Sequence, residues 1–479
     1  MRMNALREYE PVPGTLVEWR PIESTMDSMG VAREHPAPPS SFQENHIRRS
    51  LANDAAGAVH SPWLSTVFDL PGRLDAEAMA VAWQQWVRRH GTLLTWFEDT
   101  GDELRRCALD TDDVEFVPVE VGDYDTGAQI REHLLHRFDT ATSALRWPPF
   151  VLGAVLREES STVFFAVDHA HTDGYSIFLV FDELRRLYEQ QIGGEPAALP
   201  EVGDHAVFAA RERGLAIEPE AQAAAVQTWS DFWLSGGERP PSFPLPLGLD
   251  DDEPRGKLLM ERELFDADQA NAFGKRCREH RGGFAAGIFA ALAIAASELA
   301  GTESFRTLTP VQTRDERQWA AAQGWFINLV PLHFALTGLG TFGEVLTAAE
   351  QAFARARAIA DVPVVKLVEL LGSQLKLQED ARTVLPIVSF IDLRRIRGGE
   401  LWEQADAQVL SGPGEGFDVP MWINRLRGLT YLKASYPDTA VAAENVARYL
   451  DRTMAVLHRV IADGDHEFRS AVPAAVLAE

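Results

Sequence analysis

Cysteine is nearly missing from this 479-residue chain: there are two, Cys107 and Cys277, far apart in sequence. No zinc-ligand spacing can be built from them, so no metal is expected. One disulfide is an alternative; two incidental thiols in a reduced, cytoplasmic chain is the preferred reading. Positive charge is also scarce. Lys and Arg number 45 against 71 Asp and Glu, a formal net charge of −26. An acidic surface repels nucleic acid and anionic membranes, so neither is expected as a partner, although a local arginine cluster would suffice for a small anion. Long apolar runs are missing too. The longest, Phe284 to Ala296, is about 13 residues against the ~20 that span a bilayer, and reads as a buried helix. The first ten residues carry no apolar stretch of the secretory kind. A cytoplasmic chain that does not span a membrane is expected, without tandem repeats or low-complexity segments.

What is present is an ordinary globular composition, 46% hydrophobic and 24% charged, over a length too great for one common core. Two lobes are expected, residues 1–200 and 201–479, with the break in the low-order stretch 192–204. The Pro/Gly/Asp-rich stretch 235–257 reads as a long surface loop, and the first ~50 residues as Pro-rich and irregular. Leu64 to Leu70 alternates like a strand and turns at Pro71-Gly72. Asp75 then caps a helix bearing Met79, Ala82, Trp83, Trp86 and Val87 at helical spacing. Strands are expected over 150–156 and 162–167. The second runs directly into Asp168-His169-Ala170-His171-Thr172-Asp173-Gly174, followed by a helix with Ile177, Val180, Phe181 and Leu184 on its apolar face.

That strand-to-helix loop holds the best chemical candidate. A loop histidine, His169, can accept a proton from an attacking hydroxyl or amine. Asp173 lies four residues on and can fix the loop by pairing with an arginine, in a turn that Gly174 tightens through unusual backbone angles. As a bare pattern H-x-x-x-D-G is weak, and a capping Asp beside a surface His is the plain alternative.

Context adds to it. Asp168 to Gly174 resembles the His-His-x-x-x-Asp-Gly signature of the condensation-domain superfamily, in particular its stand-alone acyltransferases of polyketide and lipid assembly. His169 falls on the second, catalytic histidine, Asp168 replaces the first, and His171 is not a signature position and reads as incidental. Further similar segments occur in order. They are Ser40-x-x-Gln43, Arg89-His90-Gly91-Thr92-Leu93, Phe138-Asp139, Pro149-Phe150, Pro310-Val311-Gln312-Thr313-Arg314, and Gly324-Trp325-Phe326-Ile327-Asn328-Leu329-Val330-Pro331-Leu332. The family's Asp-Phe-Gly-Trp-Gly element is missing, with only a remnant at Gly416 to Trp422.

The resemblance implies a mixed α/β (α+β) fold: two chloramphenicol-acetyltransferase-like lobes forming a V-shaped pseudo-dimer, crossed by a tunnel with His169 at its middle. It implies acyl transfer from a thioester donor to a hydroxyl of a lipid, sugar or specialised metabolite. It puts Asp173 in a pair with Arg89 first or Arg314 second, and Trp325, Asn328 and Ser389 along the substrate groove. For Ser389 an ordinary strand serine is the preferred alternative. No cofactor is expected beyond acyl-CoA or a phosphopantetheine-linked acyl group as co-substrate. The expected partners are a small-molecule or lipid acceptor and, as an option, an acyl or peptidyl carrier protein, with the enzyme a monomer. Two other readings stay open: a stand-alone condensation enzyme making an amide, and a catalytically silent carrier-binding module. A literal G-x-G-x-x-G at Gly338 to Gly343 lacks the following strand and acidic residue of a dinucleotide site. Arg394, Arg395 and Arg397 make the one dense basic run, a solvated loop with a phosphate-binding patch as the alternative.

Overall fold

A computed structural model describes residues 1–237, 239–249, 254–371 and 387–469. It is a mixed α/β fold in two compact units, each assembled from separated segments. The first takes Met1–Leu215, Arg314–Ile327 and Arg395–Gly414; the second takes Ala216–Thr313, Asn328–Arg394 and Glu415–Glu479. Composition placed a single break at 200/201. Instead the helix His205–Gly214, beyond that stretch, stays with the first unit, and the chain re-enters this unit twice more. A change in composition marks where a chain leaves regular structure; it carries no signal of a later return.

The first unit is built on a seven-stranded sheet ordered Arg2–Ala5, Gln408–Ser411, Trp63–Pro71, Ser160–Asp168, Phe150–Leu156, Gly14–Pro21, Phe116–Tyr124. Phe150–Leu156 and Ser160–Asp168 are buried along almost their whole length, the pattern of strands covered on both faces. On one face Phe164 and Ala166 join Ile130, Leu134 and Phe138 of the helix Gly127–Ala141. On the other, Phe165 meets Trp83 and Trp86 of the helix Ala76–Arg89, whose N-terminus is capped by Asp75 as expected. The register sets Trp63 opposite Asp168 and Phe150 opposite Val167, so the end of the strand is held on both sides.

The N-terminal segment is not irregular. Arg2–Ala5 and Gly14–Pro21 are sheet strands, and Glu23–Met29 and Ser41–Ala56 are helices. The second of these starts on a capping box in which Ser40 and Gln43 satisfy each other's backbone amides, a signal that the surrounding prolines hide.

The second unit holds a five-stranded sheet ordered Val388–Asp392, Met421–Arg425, Leu429–Pro437, Arg255–Asp266, Glu415–Gly416. Strand Arg255–Asp266 begins inside the stretch read as loop, of which residues 238 and 250–253 lie outside the described residues. The apolar run is the buried helix Phe284–Ala300, packed in this unit's core with Ala440–Asp463. Among the described residues no single helix is long and apolar enough to cross a membrane; only Ala267–Glu279 with Phe284–Ala300 would pass together, and they are bent by 88°. Cys107 and Cys277 are both free and buried, one in each unit.

Candidate active site

The sheet delivers His169 to its position. The Asp168 amide donates to the Pro149 carbonyl at 2.9 Å and the His169 amide to the Pro62 carbonyl at 2.7 Å, extending the pairing from both flanking strands. The chain then turns through the short helix His169–His171. Asp168 caps this turn: its buried carboxylate accepts from the Ala170 amide at 2.8 Å, the Ala144 amide at 3.1 Å and His46 Nε2 at 3.1 Å. Burial alone would raise the Asp168 pKa, yet His46 and these donors bring it below the ordinary value, so the residue is a carboxylate. The residue that replaces the signature's first histidine has thus acquired a histidine partner from the helix Ser41–Ala56.

The His169 ring lies against Trp325, centroids 4.1 Å apart, and 5.8 Å from the His46 ring. Phe42 stacks on the other part of this wall, 5.8 Å from Trp325. His169 keeps a partly exposed edge, but Nδ1 is enclosed without a hydrogen bond of ordinary geometry. Burial, and next the neighbouring His46, lower the His169 pKa to about 4; its own carbonyl, Asp173 and Asp168 pull weakly the other way. At neutral pH the imidazole is uncharged and able to take a proton.

Asp173 serves the loop. Its carboxylate is 1% exposed as a residue and accepts from the amides of Ser176 at 2.6 Å, Tyr175 at 2.9 Å and Phe326 at 2.9 Å. Arg314 Nη2 stands 3.4 Å from both carboxylate oxygens and donates to Ser176 Oγ at 2.6 Å. Burial raises the Asp173 pKa, but Arg314 and the amides outweigh it and hold the group ionised. Arg89, the first-ranked partner from sequence, goes elsewhere: it binds Glu183, with Nη2 to Oε1 at 3.1 Å, and the Pro200 carbonyl. Gly174 does not take a positive φ, because the amides bound by Asp173 make the turn. Gly91 is the glycine that close approach requires: a Cβ there would meet the Asp204 carboxylate at 2.5 Å.

His171 is not incidental. It is 0% exposed, donates from Nδ1 to the Thr92 carbonyl at 2.8 Å, and is kept neutral by burial, with its pKa lowered to about 4. Four further residues escaped sequence reasoning. His46 sits three positions after Gln43, on the same helical face, and would have followed from assigning that helix. Glu183 accepts from Trp86, Arg89 and His90, drawing two residues of the helix Ala76–Arg89 and its C-cap to the helix Ser176–Gln191. Gln323 donates to the Ser176 carbonyl at 2.9 Å, and its amide to His90 Nδ1 at 3.3 Å. His205 donates to the Trp325 carbonyl at 3.1 Å. Only a folded chain brings the last three together.

Two expected groove residues belong to the second unit. Asn328 is occupied internally: Nδ2 donates to the carbonyls of Ala360 at 2.8 Å and Val362 at 2.7 Å, and Oδ1 accepts from the Val364 amide at 3.1 Å. That is a loop-fixing role. Ser389 is a buried residue of the strand Val388–Asp392, opposite Trp422 in register.

Comparison with known proteins gives the class to which this fold and site belong. The family model described as "Condensation domain" matches residues 48–473, and the chain belongs to this family. It is 30% identical over 475 residues to acyltransferase PapA3 of Mycobacterium tuberculosis, covering 98% of both chains. It is 29% identical over 476 residues to the 2'-acyl-2-O-sulfo-trehalose (hydroxy)phthioceranyltransferase PapA1 of the same species, covering 98% of this chain and 90% of that one. A solved structure of PapA2 acyl transferase superposes with a TM-score of 0.86 at 27% identity, over 96% of this chain and 100% of that one. The protein is an acyltransferase enzyme.

Proposed function

We propose that this acyltransferase moves an acyl group from a thioester donor, acyl-CoA or an acyl carrier protein, to a hydroxyl of a sugar-type acceptor, with His169 as general base. The observation that carries the reading is a neutral His169 imidazole with one accessible edge, walled by Trp325 and His46. Nδ1 faces the interior, so Nε2 is the nitrogen left to act. The acceptor O–H gives its proton to Nε2 as its oxygen bonds to the thioester carbon. The tetrahedral oxyanion then collapses, the C–S bond breaks, and the imidazolium returns the proton to the departing sulfur. The sugar acceptor is suggested by the relative whose name specifies an acylated, sulfated trehalose.

The test is purified enzyme offered acyl-CoA and acyl-carrier donors with trehalose 2-sulfate, its products read by intact mass. His169→Ala should slow transfer by on the order of 10²–10⁴, the range for losing one general base. His171→Ala should lower the folded fraction through its lost Thr92 bond and leave the rate per folded molecule within a few-fold. Unchanged turnover in folded His169→Ala would move the case to the silent-module reading. Products formed only with amine acceptors would favour amide formation.

A further inference from the structure

The basic run does not act as a unit. Arg394 belongs to the second unit and clasps Asp392 there, Nε to Oδ1 at 2.8 Å and Nη2 to Oδ2 at 2.6 Å; Arg395 and Arg397 fall in the first unit. Beside Arg394, at the end of the neighbouring strand, stands Arg425, set opposite Asp392 in register. Arg425 is only 8% exposed, and among the described residues its guanidinium has no carboxylate or carbonyl partner; Nε is enclosed with none at all. Its guanidinium carbon lies 3.6 Å from the centroid of the Phe284 ring. Arg278 flanks the same ring: its Nη1 and Phe284 Cδ2 stand 3.5 and 3.6 Å from one point above Gly274. Arg278 is exposed, and among the described residues its guanidinium likewise has no carboxylate or hydrogen-bond partner.

Arg425 and Arg278 thus flank one aromatic ring, with Arg394 beside Arg425, in a chain of net charge −26, and Asp392, the acid opposite Arg425, is already bound by Arg394. Burial and the adjacent Arg394 and Arg278 all lower the Arg425 pKa, although no such shift deprotonates an arginine. A buried, unneutralised guanidinium is costly unless something pairs with it. Stacking on Phe284 occupies its face and leaves the in-plane N–H edge for a ligand, the geometry that suits tetrahedral oxyanions.

We propose that Arg425, Arg278 and Arg394 form an anion site in the second unit that binds a phosphate ester of the thioester donor. It rests on the thioester-donor reading above. The 3'-phosphate monoester of coenzyme A carries up to two charges, against one on a sulfate ester of an acceptor, and so matches a multi-arginine site better; the phosphodiester of a carrier-borne phosphopantetheine carries one.

The experiment uses the full-length enzyme and measures the dissociation constants of coenzyme A, 3'-dephospho-CoA, phosphopantetheine, pantetheine and trehalose 2-sulfate. For the wild type, coenzyme A or phosphopantetheine should bind at least about tenfold more tightly than neutral pantetheine, with affinity falling as salt rises. Arg425→Gln and the exposed Arg278→Gln should each erase most of that preference, and Arg425→Lys should restore only part of it. Loss of the preference between coenzyme A and 3'-dephospho-CoA would identify the 3'-phosphate; loss of that between phosphopantetheine and pantetheine would identify the phosphate shared with carrier proteins. Either outcome supports the site. Wild-type binding of both phosphorylated probes by folded Arg278→Gln and Arg425→Gln overturns it, as does an effect confined to trehalose 2-sulfate. A phosphate-free acyl N-acetylcysteamine thioester separates the two readings. Turnover of it that depends on His169 but not on Arg425 keeps the thioester mechanism whatever becomes of the site.

Discussion

Two buried carboxylates bracket His169, and they do different work. Asp168 holds the start of the turn through the Ala170 amide and His46. Asp173 holds its end, and through the Phe326 amide and Arg314 joins the loop to the segment that carries Trp325. Removing one partner of such a buried pair leaves the other uncompensated, at a cost of about 3–5 kcal/mol. Asp173→Asn keeps one oxygen for the Tyr175 and Ser176 amides, which share Oδ1, but leaves the Phe326 amide without its acceptor and strands Arg314, so we expect a fall in stability of that order. The remaining folded enzyme should lose turnover too, because Trp325 and the turn are no longer fixed to one another. Urea midpoints and rates per folded molecule measure both. A fall in rate with no fall in stability would instead put the Asp173 carboxylate in contact with substrate.

At the scale of elements, the helix Ser41–Ala56 is tied to the turn by two side chains, His46 through Asp168 and Gln43 directly. Gln43 Nε2 donates to the Ala170 carbonyl at 2.8 Å, while Oε1 accepts from Arg106 Nη2 at 2.9 Å and from the Ser40 amide at 2.9 Å. Ser40→Ala removes only the cap and should cost about 1 kcal/mol with the rate unchanged. Gln43→Leu leaves buried partners unmet on both the turn and Arg106, at about 1–3 kcal/mol for each. It should lower thermal stability more than Ser40→Ala and reduce turnover as well; equal effects of the two would make Gln43 a cap and nothing else. Ser40 and Gln43 were legible only as a family-like Ser-x-x-Gln element; the helix they start reads as irregular in the sequence, because the surrounding prolines hide the cap. The strand–turn–helix order around His169 was legible, since alternating and helical apolar spacing is written into consecutive residues. The choice of Arg314 over Arg89 was not. Glu183 draws Arg89 away, and its place opposite that helix depends on how two helices lie on one sheet. His171 was misjudged because its partner, the Thr92 carbonyl, is a backbone group that no side-chain pattern reports.

For the whole molecule, acid acts with opposite signs on two buried histidines of the first unit and on Asp418 of the second. In the first, His171 and His205 are buried and neutral, with pKa values lowered by burial to about 4 and about 3. The unfolded chain takes up protons at an ordinary histidine pKa near 6.5, before the folded chain does, so each residue removes stability as pH falls below that value. In the second, burial raises the Asp418 pKa to about 6, against the amides of Val419 and Phe243 that donate to its carboxylate at 2.7 and 2.9 Å. There the sign is reversed: the folded form is the better proton acceptor, so Asp418 costs stability above pH 6 and the cost is relieved as pH drops through that value. The group sits in the remnant Gly416 to Trp422, and its bond to Phe243 fixes part of the connection that leads into the strand Arg255–Asp266. Asp418→Asn retains an oxygen for both amides and removes the charge. The variant should therefore gain on the order of 1 kcal/mol over wild type at pH 8, and the gain should shrink by a similar amount at pH 5. Taking the difference between variant and wild type at each pH cancels the histidines, which both proteins share. Urea unfolding followed at the two pH values reads it directly. A gain of the same size at both would mean that the carboxyl titrates normally, and that the loop and strand meet without electrostatic cost.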